Sequence, residues 1–179
     1  MPNRKDIFKL VMDFVETLVI AAGVFIFVYL FIGQLLRVTG DSMMPTFADG
    51  EQIIAEKLSV KFNPIKRGQI VIFKLPKNQE RLLIKRVVGL PGENIKISGG
   101  TVFINDVKLE EPYVHNELTT QERAMTENIE YKIQPDFYVV MGDNRENSSD
   151  SREFGPVAKD LIIGKAFMVY FPFNKIRFI

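Results

Sequence analysis

A serine, a lysine and one dense polar loop are the parts of this chain able to do covalent chemistry. Ser42 stands in Gly40-Asp41-Ser42-Met43-Met44-Pro45-Thr46. Pro45 biases Met44 away from helical dihedrals, and Gly40 admits backbone shapes that a side chain forbids. The hydroxyl can therefore sit on an open bend, although exposed loop serines are common and Ser42 alone says little more. Lys85 lies in Leu82-Leu83-Ile84-Lys85-Arg86-Val87-Val88. Strand alternation puts Leu83, Lys85 and Val87 on one face and Ile84, Arg86 and Val88 on the other. Either Lys85 sits at a strand edge with its ammonium snorkelling to water, or it points into the interior or a cleft. In the second case its chemistry follows. An ordinary lysine is neutral about once in 2,500 molecules at pH 7, but burial can lower its pKa by several units. A lysine near pKa 7–8 is a competent general base, and serine–lysine pairs are a variant of the serine–histidine scheme.

The polar loop is Met141-Gly142-Asp143-Asn144-Arg145-Glu146-Asn147-Ser148-Ser149-Asp150-Ser151-Arg152. It follows the apolar stretch Phe137 to Met141 and precedes Glu153-Phe154-Gly155-Pro156-Val157. One reading is a solvated turn. A calcium loop is disfavoured, because the spacing lacks the repeated carboxylates of an EF-hand. A functional reading has Ser148 or a neighbour orient the lysine, with Asp150 and Arg152 paired to hold the loop. Composition removes other chemistries. The chain has no cysteine and a single histidine, His115, so thiolate sites and a cysteine nucleophile are excluded and a Ser-His-Asp triad has little room. No metal or cofactor is implied. A net charge of +1 gives no case for nucleic-acid binding.

The elements that must position these groups fall into two kinds. Leu18 to Leu36 is apolar over 19 residues, with Gln34 its one strongly polar member, close to the ~20 a helix needs to cross a bilayer. It is longer than the roughly 7–15-residue core of a cleaved signal and lacks the polar face of a buried soluble helix. It reads as a membrane anchor. Arg4, Lys5 and Lys9 precede it and Arg37 follows, which places the N-terminus in the cytoplasm and the remainder outside. The expected division is a cytoplasmic segment 1–13, a transmembrane helix 14–36 and an extracytoplasmic domain 37–179. Ser42 then lies within ~20 Å of the span's end, at ~3.6 Å per residue. Beyond the anchor come short apolar segments with turn signals: Glu51 to Leu58, Gln69 to Phe73, Arg81 to Val88, Asn94 to Ile97, Thr101 to Ile104, Val107 to Leu109, Phe137 to Met141 and Ile162 to Phe171. They predict a mainly β domain, a meander of hairpins. Residues 110–134, with Glu117, Thr119, Thr120 and Glu122, read as a long exposed loop.

Taken together, GDSMMPT after a span, RGQIVIF, LIKRVVGLPGE and GDNRENSSDSREFGPV resemble, in order, the sequence boxes of bacterial type I signal peptidases. The single span and size are similar to the Gram-positive form. The resemblance implies a signal-peptidase-like β-sheet or barrel domain on one N-terminal transmembrane helix, with Ser42 as nucleophile and Lys85 as general base. It implies that Ser148 hydrogen-bonds the lysine and that Asp143, Asp150 and Arg152 maintain the active-site loop. It also implies that Leu36, Val38, Met43, Phe47 and Ile84 line shallow S1 and S3 pockets for small side chains. Alternation sets Ile84 on the face opposite Lys85. One position departs from the enterobacterial pattern: Gly40 stands where a serine offers its hydroxyl to the oxyanion. The expected partners are secretory preproteins and the lipid bilayer, and the protein itself is expected to be a monomer. Two rivals are a soluble self-cleaving serine–lysine repressor protease, which the span disfavours, and a non-catalytic tethered β-domain paralogue, which would be expected to lack the serine or the lysine. An archaeal or endoplasmic-reticulum type would carry histidine at the position of Lys85.

Overall fold

The computed structural model describes residues 4–27, 33–114 and 124–179. The N-terminal helix α1 runs Arg4–Phe27 with Asp6 in its first turn, where a carboxylate complements the helix dipole. It is long and apolar enough to cross a membrane, and none of its residues is buried against the rest of the chain.

The expected helix at 14–36 is corrected at both ends. The helix begins at Arg4, and Gly33–Arg37 is not helix but a strand, β1. β1 lies antiparallel to β2 (Gln52–Glu56), with Leu35 opposite Ile54 and Leu36 opposite Ile53. The reason is physical: an apolar run reads alike whether it ends in lipid or in a sheet. Alternation decides here, because Leu36 packs on the core while Leu35 stays exposed. The β domain therefore takes in residues that a count of apolar residues assigns to the membrane.

The remaining elements are α2 (Leu58–Phe62), β3 (Ile70–Leu75), β4 (Asn78–Gly89), β5 (Asn94–Ser98), β6 (Thr101–Ile104), β7 (Val107–Lys108), β8 (Glu130–Lys132), β9 (Phe137–Met141), α3 (Ser151–Phe154), β10 (Val157–Ala158), β11 (Ile162–Phe171) and β12 (Arg177–Phe178). Among the described residues the strands form two sheets. One has eight strands in the order β1-β2-β11-β3-β4-β9-β10, with β12 added to β11; the other has the order β7-β6-β5-β8. The expectation of a mainly β domain on an apolar helix holds. The long exposed loop expected at 110–134 is corrected over its last part. Glu130–Lys132 pairs with β5, and Met125 and Ile133 are buried in the core of the smaller sheet. Polar composition hid a three-residue strand with one half-buried side chain, Tyr131. Glu117, Thr119, Thr120, Glu122 and His115 lie outside the described residues.

Both faces of the larger sheet are apolar. Ile70 and Ile72 join Val38, Met43, Phe47 and Ile53 on one face. Val71, Phe73 and Val87 join Tyr138, Val140 and Val157 on the other. The near-continuous apolar run of β3 suits a strand covered on both sides.

Candidate active site

β4 is the element that carries Lys85. It pairs with β3 with Lys85 opposite Val71 and Ile84 opposite Ile72. Pairing with β9 includes Val87 opposite Val140 and Arg86 opposite Met141, which makes Lys85 and Gly142 the next residues on the two chains. Among the described residues, no strand pairs with this edge of β4 at residues 81–84. That open edge and residues 36–42 form the two walls of a cleft of about 390 Å³, floored by Ile53 and Ile72.

The segment around Ser42 reaches the cleft as a turn. Gly40 has φ +84°, in the left-handed region that favours glycine, and its N–H donates to Asp49 Oδ1 at 2.7 Å. The Met44 N–H returns to the Asp41 carbonyl and that of Phe47 to the Met43 carbonyl. Met43 and Phe47 are wholly buried and anchor the turn to the core. Ser42 thus stands half-exposed at the end of the cleft, its Oγ 2.6 Å from Lys85 Nζ. The lysine's second hydrogen bond goes to the Ile84 carbonyl at 3.0 Å.

Of the two environments left open for Lys85, the structure shows the interior one: the residue is 3% exposed. Burial pulls its pKa from the ordinary 10.5 down to about 8. The carboxylates of Asp150 and Asp143 pull the other way, while Arg81 and Arg152 add to the fall. A base at about 8 is neutral in about one molecule in ten at pH 7, a gain of more than a hundredfold over a solvated lysine.

The polar loop after β9 is not a solvated turn, since Gly142, Asp143, Arg145, Ser148, Asp150 and Arg152 are all buried. Its charges are matched in pairs. Asp143 accepts a fork from Arg86, Nε–Oδ1 2.8 Å and Nη2–Oδ2 2.6 Å, and also accepts from the Thr46 hydroxyl. Asp150 accepts from Arg152 Nε and Nη2, from the Gly142 N–H at 3.0 Å and from the Ser148 hydroxyl at 2.8 Å. Arg145, wholly buried, forks onto Glu111 and donates from Nε to the Gly142 carbonyl. Tyr113 stacks on Arg86 at 4.1 Å. The loop also grips the Ser42 turn directly, through the Asn144 N–H to the Ser42 carbonyl at 3.1 Å and Asn144 Nδ2 to the Asp41 carbonyl at 3.2 Å.

The structure brings Ser42, Lys85, Asp143, Ser148, Asp150 and Arg152 into one cluster, with two differences from expectation. Ser148 makes no hydrogen bond to Lys85 among the described residues; its hydroxyl is committed to Asp150. Leu36, Val38 and Ile84 line the cleft, but Met43 and Phe47 lie beneath it, in the same core cluster as those three. A buried apolar residue can shape a pocket from behind its wall, and sequence pattern does not separate the two placements. Thr46, Arg86, Asn144 and Gly142 were not foreseen. The Lys85-Arg86 pair held a signal for one of them, since adjacent cations on a strand point to opposite faces and the second needs its own anion. Gly142 is the tightest position: a Cβ there would sit 2.2 Å from Ser148 Oγ and 2.5 Å from the Ser42 carbonyl oxygen.

Comparison with known proteins identifies the family. Residues 11–171 match the family model described as signal peptidase, peptidase S26. Signal peptidase I of Leptolyngbya laminosa is 34% identical over 172 residues, covering 92% of this chain and 82% of that protein. Signal peptidase IB of Staphylococcus aureus (strain MRSA252) is 30% identical over 182 aligned positions, covering 95% and 94%. A crystal structure of a signal peptidase I from Enterococcus faecalis V583 is 30% identical, with a TM-score of 0.49, covering 57% of this chain and 97% of that one. The chain belongs to the signal peptidase family, peptidase S26. It is a type I signal peptidase, a serine endopeptidase that cleaves signal peptides, and its apolar helix fits a membrane-anchored protein.

Proposed function

We propose that the cleavage runs through a Ser42–Lys85 dyad and an acyl-enzyme, after a small residue of an A-x-A-like site. The contact between Nζ and Oγ at 2.6 Å, made by a lysine whose pKa lies at about 8, carries this reading. Neutral Lys85 takes the Ser42 proton as Oγ attacks the scissile carbonyl. The resulting ammonium gives the proton to the leaving amine, the acyl-enzyme forms, and Lys85 then activates the water that hydrolyses it. The Ser42 backbone N–H donates to nothing among the described residues and is free for the oxyanion. Gly40 adds no hydroxyl, and its own N–H is taken by Asp49, so the second donor comes from elsewhere, a water included. Losing one such donor typically costs ~10²–10³ in rate.

The substrate lies extended along the open edge of β4 at residues 81–84, adding as a strand. Leu36, Val38 and Ile84 bound its small side chains, and Met43 and Phe47 hold those walls from behind. Asp143, Asp150 and Arg152 hold the loop that carries Asn144 to the Ser42 carbonyl. Ser148 contributes through Asp150. The N-terminus lies in the cytoplasm, α1 crosses the membrane, and residues from 33 onward form the catalytic domain outside, acting as a monomer on preproteins that share its bilayer. Ser42→Ala and Lys85→Ala are each expected to abolish processing of a preprotein, followed by mass spectrometry of the mature N-terminus. Near wild-type processing by either variant sinks the dyad.

A further inference from the structure

Arg177 lies beyond residue 171, where the family match ends, on a two-residue strand that pairs with β11. Its guanidinium leaves that strand for the segment behind the nucleophile. Nη2 donates to the Thr46 carbonyl at 2.6 Å, and the two terminal nitrogens fork onto Glu51, Nη1–Oε1 3.0 Å and Nη2–Oε2 2.7 Å. Cζ lies 5.8 Å from the centre of the Phe47 ring. Glu51 is a buried carboxylate whose Oε2 also accepts from the Ala48 N–H. Burial alone would raise its pKa, yet the hydrogen bonds from Arg177 and Ala48 outweigh that and hold it below the usual carboxylate value. Lys175 stands further off, at 3.9 Å.

These contacts converge on the frame of the cleft. The Val38 N–H donates to the Glu51 carbonyl at 2.8 Å and the Gly50 N–H returns to the Val38 carbonyl at 3.0 Å, so Glu51 also fixes one cleft wall. Thr46, whose carbonyl Arg177 holds, reaches Asp143 through its hydroxyl. The nucleophile turn is therefore tied on one side by the loop after β9 and on the other by a residue near the end of the chain.

We infer that Arg177 is a positioning residue for the peptidase reaction: its fork onto Glu51 and its bond to the Thr46 carbonyl fix the turn that carries Ser42 and the wall that carries Val38. This rests on the reading of Ser42 as the nucleophile. Only a planar guanidinium serves both acceptors with two nitrogens; a lysine keeps the charge but not the fork.

The test uses the full-length enzyme in vesicles with a preprotein, together with hydrogen exchange of the backbone. Arg177→Ala is expected to speed exchange at residues 42–51 while leaving β3 and β4 protected, and to lower kcat on the order of tenfold with KM unchanged. Arg177→Lys restores part of both, and Glu51→Gln falls between. Lys175→Ala, which leaves the fork intact, changes neither. Unchanged exchange at 42–51 in Arg177→Ala overturns the inference. So does faster exchange with kcat unaltered, or a fall in kcat matched by the unfolded fraction alone. Should Arg177→Ala not fold, Arg177→Lys and Glu51→Gln decide by the same readouts. A wild-type enzyme that leaves the preprotein intact sinks the peptidase reading, and with it the positioning role, whereas a wild type that cleaves beside an unaffected Arg177→Ala sinks the positioning role alone.

Discussion

Lys85 forms a cation in a place that solvates cations poorly, and its two functional consequences have opposite signs. Below about pH 8 most molecules carry the charged form, which cannot serve as base in the proposed dyad. The cleavage rate, as kcat/KM, is therefore expected to rise tenfold per pH unit up to about 8 and to level off above it. Stability follows the same group. Its pKa is lower folded than unfolded, so between about 8 and 10.5 the unfolded chain binds more protons, and stability rises with pH across that window. Below about 8 both states are protonated and the buried charge costs roughly 3 kcal/mol. Lys85→Met, which keeps the volume without the charge, is expected to be inactive yet more stable than wild type by about 1–3 kcal/mol at pH 7. That gain should shrink as pH rises toward 10.5. Thermal unfolding of both proteins at pH 7 and pH 10 reads this directly. A Lys85→Met protein no more stable at pH 7 would mean that the lysine is solvated.

The loop after β9 works as an element because a strand ends in a residue with no side chain. Lys85 and Gly142 are the next residues after the Arg86–Met141 pair, and the space that a Gly142 Cβ would fill is taken by Ser148 Oγ and the Ser42 carbonyl. A serine side chain can rotate away; a backbone carbonyl held by Asn144 cannot do so cheaply. Gly142→Ala is expected to cost about 1–3 kcal/mol of stability. Because it displaces Ser42 against Lys85, the proposed dyad predicts that it also lowers kcat on the order of 10²-fold. Full activity in Gly142→Ala would show the turn to be more compliant than its contacts suggest. What the sequence disclosed about elements follows from the same physics. Phe137 to Met141, a continuous apolar run, and Thr101 to Ile104, an alternating one, were legible to the residue because flanking turns set their ends. The ends of α1 and the strand at 33–37 were not, because hydropathy does not distinguish lipid from the core of a sheet. Ser42, Lys85 and the polar loop were legible as chemistry. The burial of that loop was not, because its polar residues satisfy one another, and only coordinates show Asp150 meeting Arg152, Ser148 and Gly142 at once.

At the scale of the whole molecule, the helix adds no buried residue to the domain, and its proposed contribution is to hold the domain at the membrane. No residue of α1 is buried, so neither the cleft nor the Ser42–Lys85 pair depends on it for packing. The walls and floor of the cleft all come from residues 36–149. A chain beginning at Gly33 is therefore expected to hydrolyse a short soluble peptide with the kcat and pH profile of the full-length enzyme. What it loses is proximity. A preprotein held in the bilayer by its own apolar segment meets the tethered enzyme at a high effective concentration, and release of the tether turns that encounter into one between a solute and a surface. Avidity of this kind is worth ~10²–10⁴ without any contact being changed. Processing of a vesicle-borne preprotein at dilute enzyme should fall by about that factor, recovering as the concentration of the shortened chain is raised. If the shortened chain loses activity on the soluble peptide as well, α1 does more than hold the domain at the membrane, and the lack of buried contacts on the helix would be a poor guide to its role.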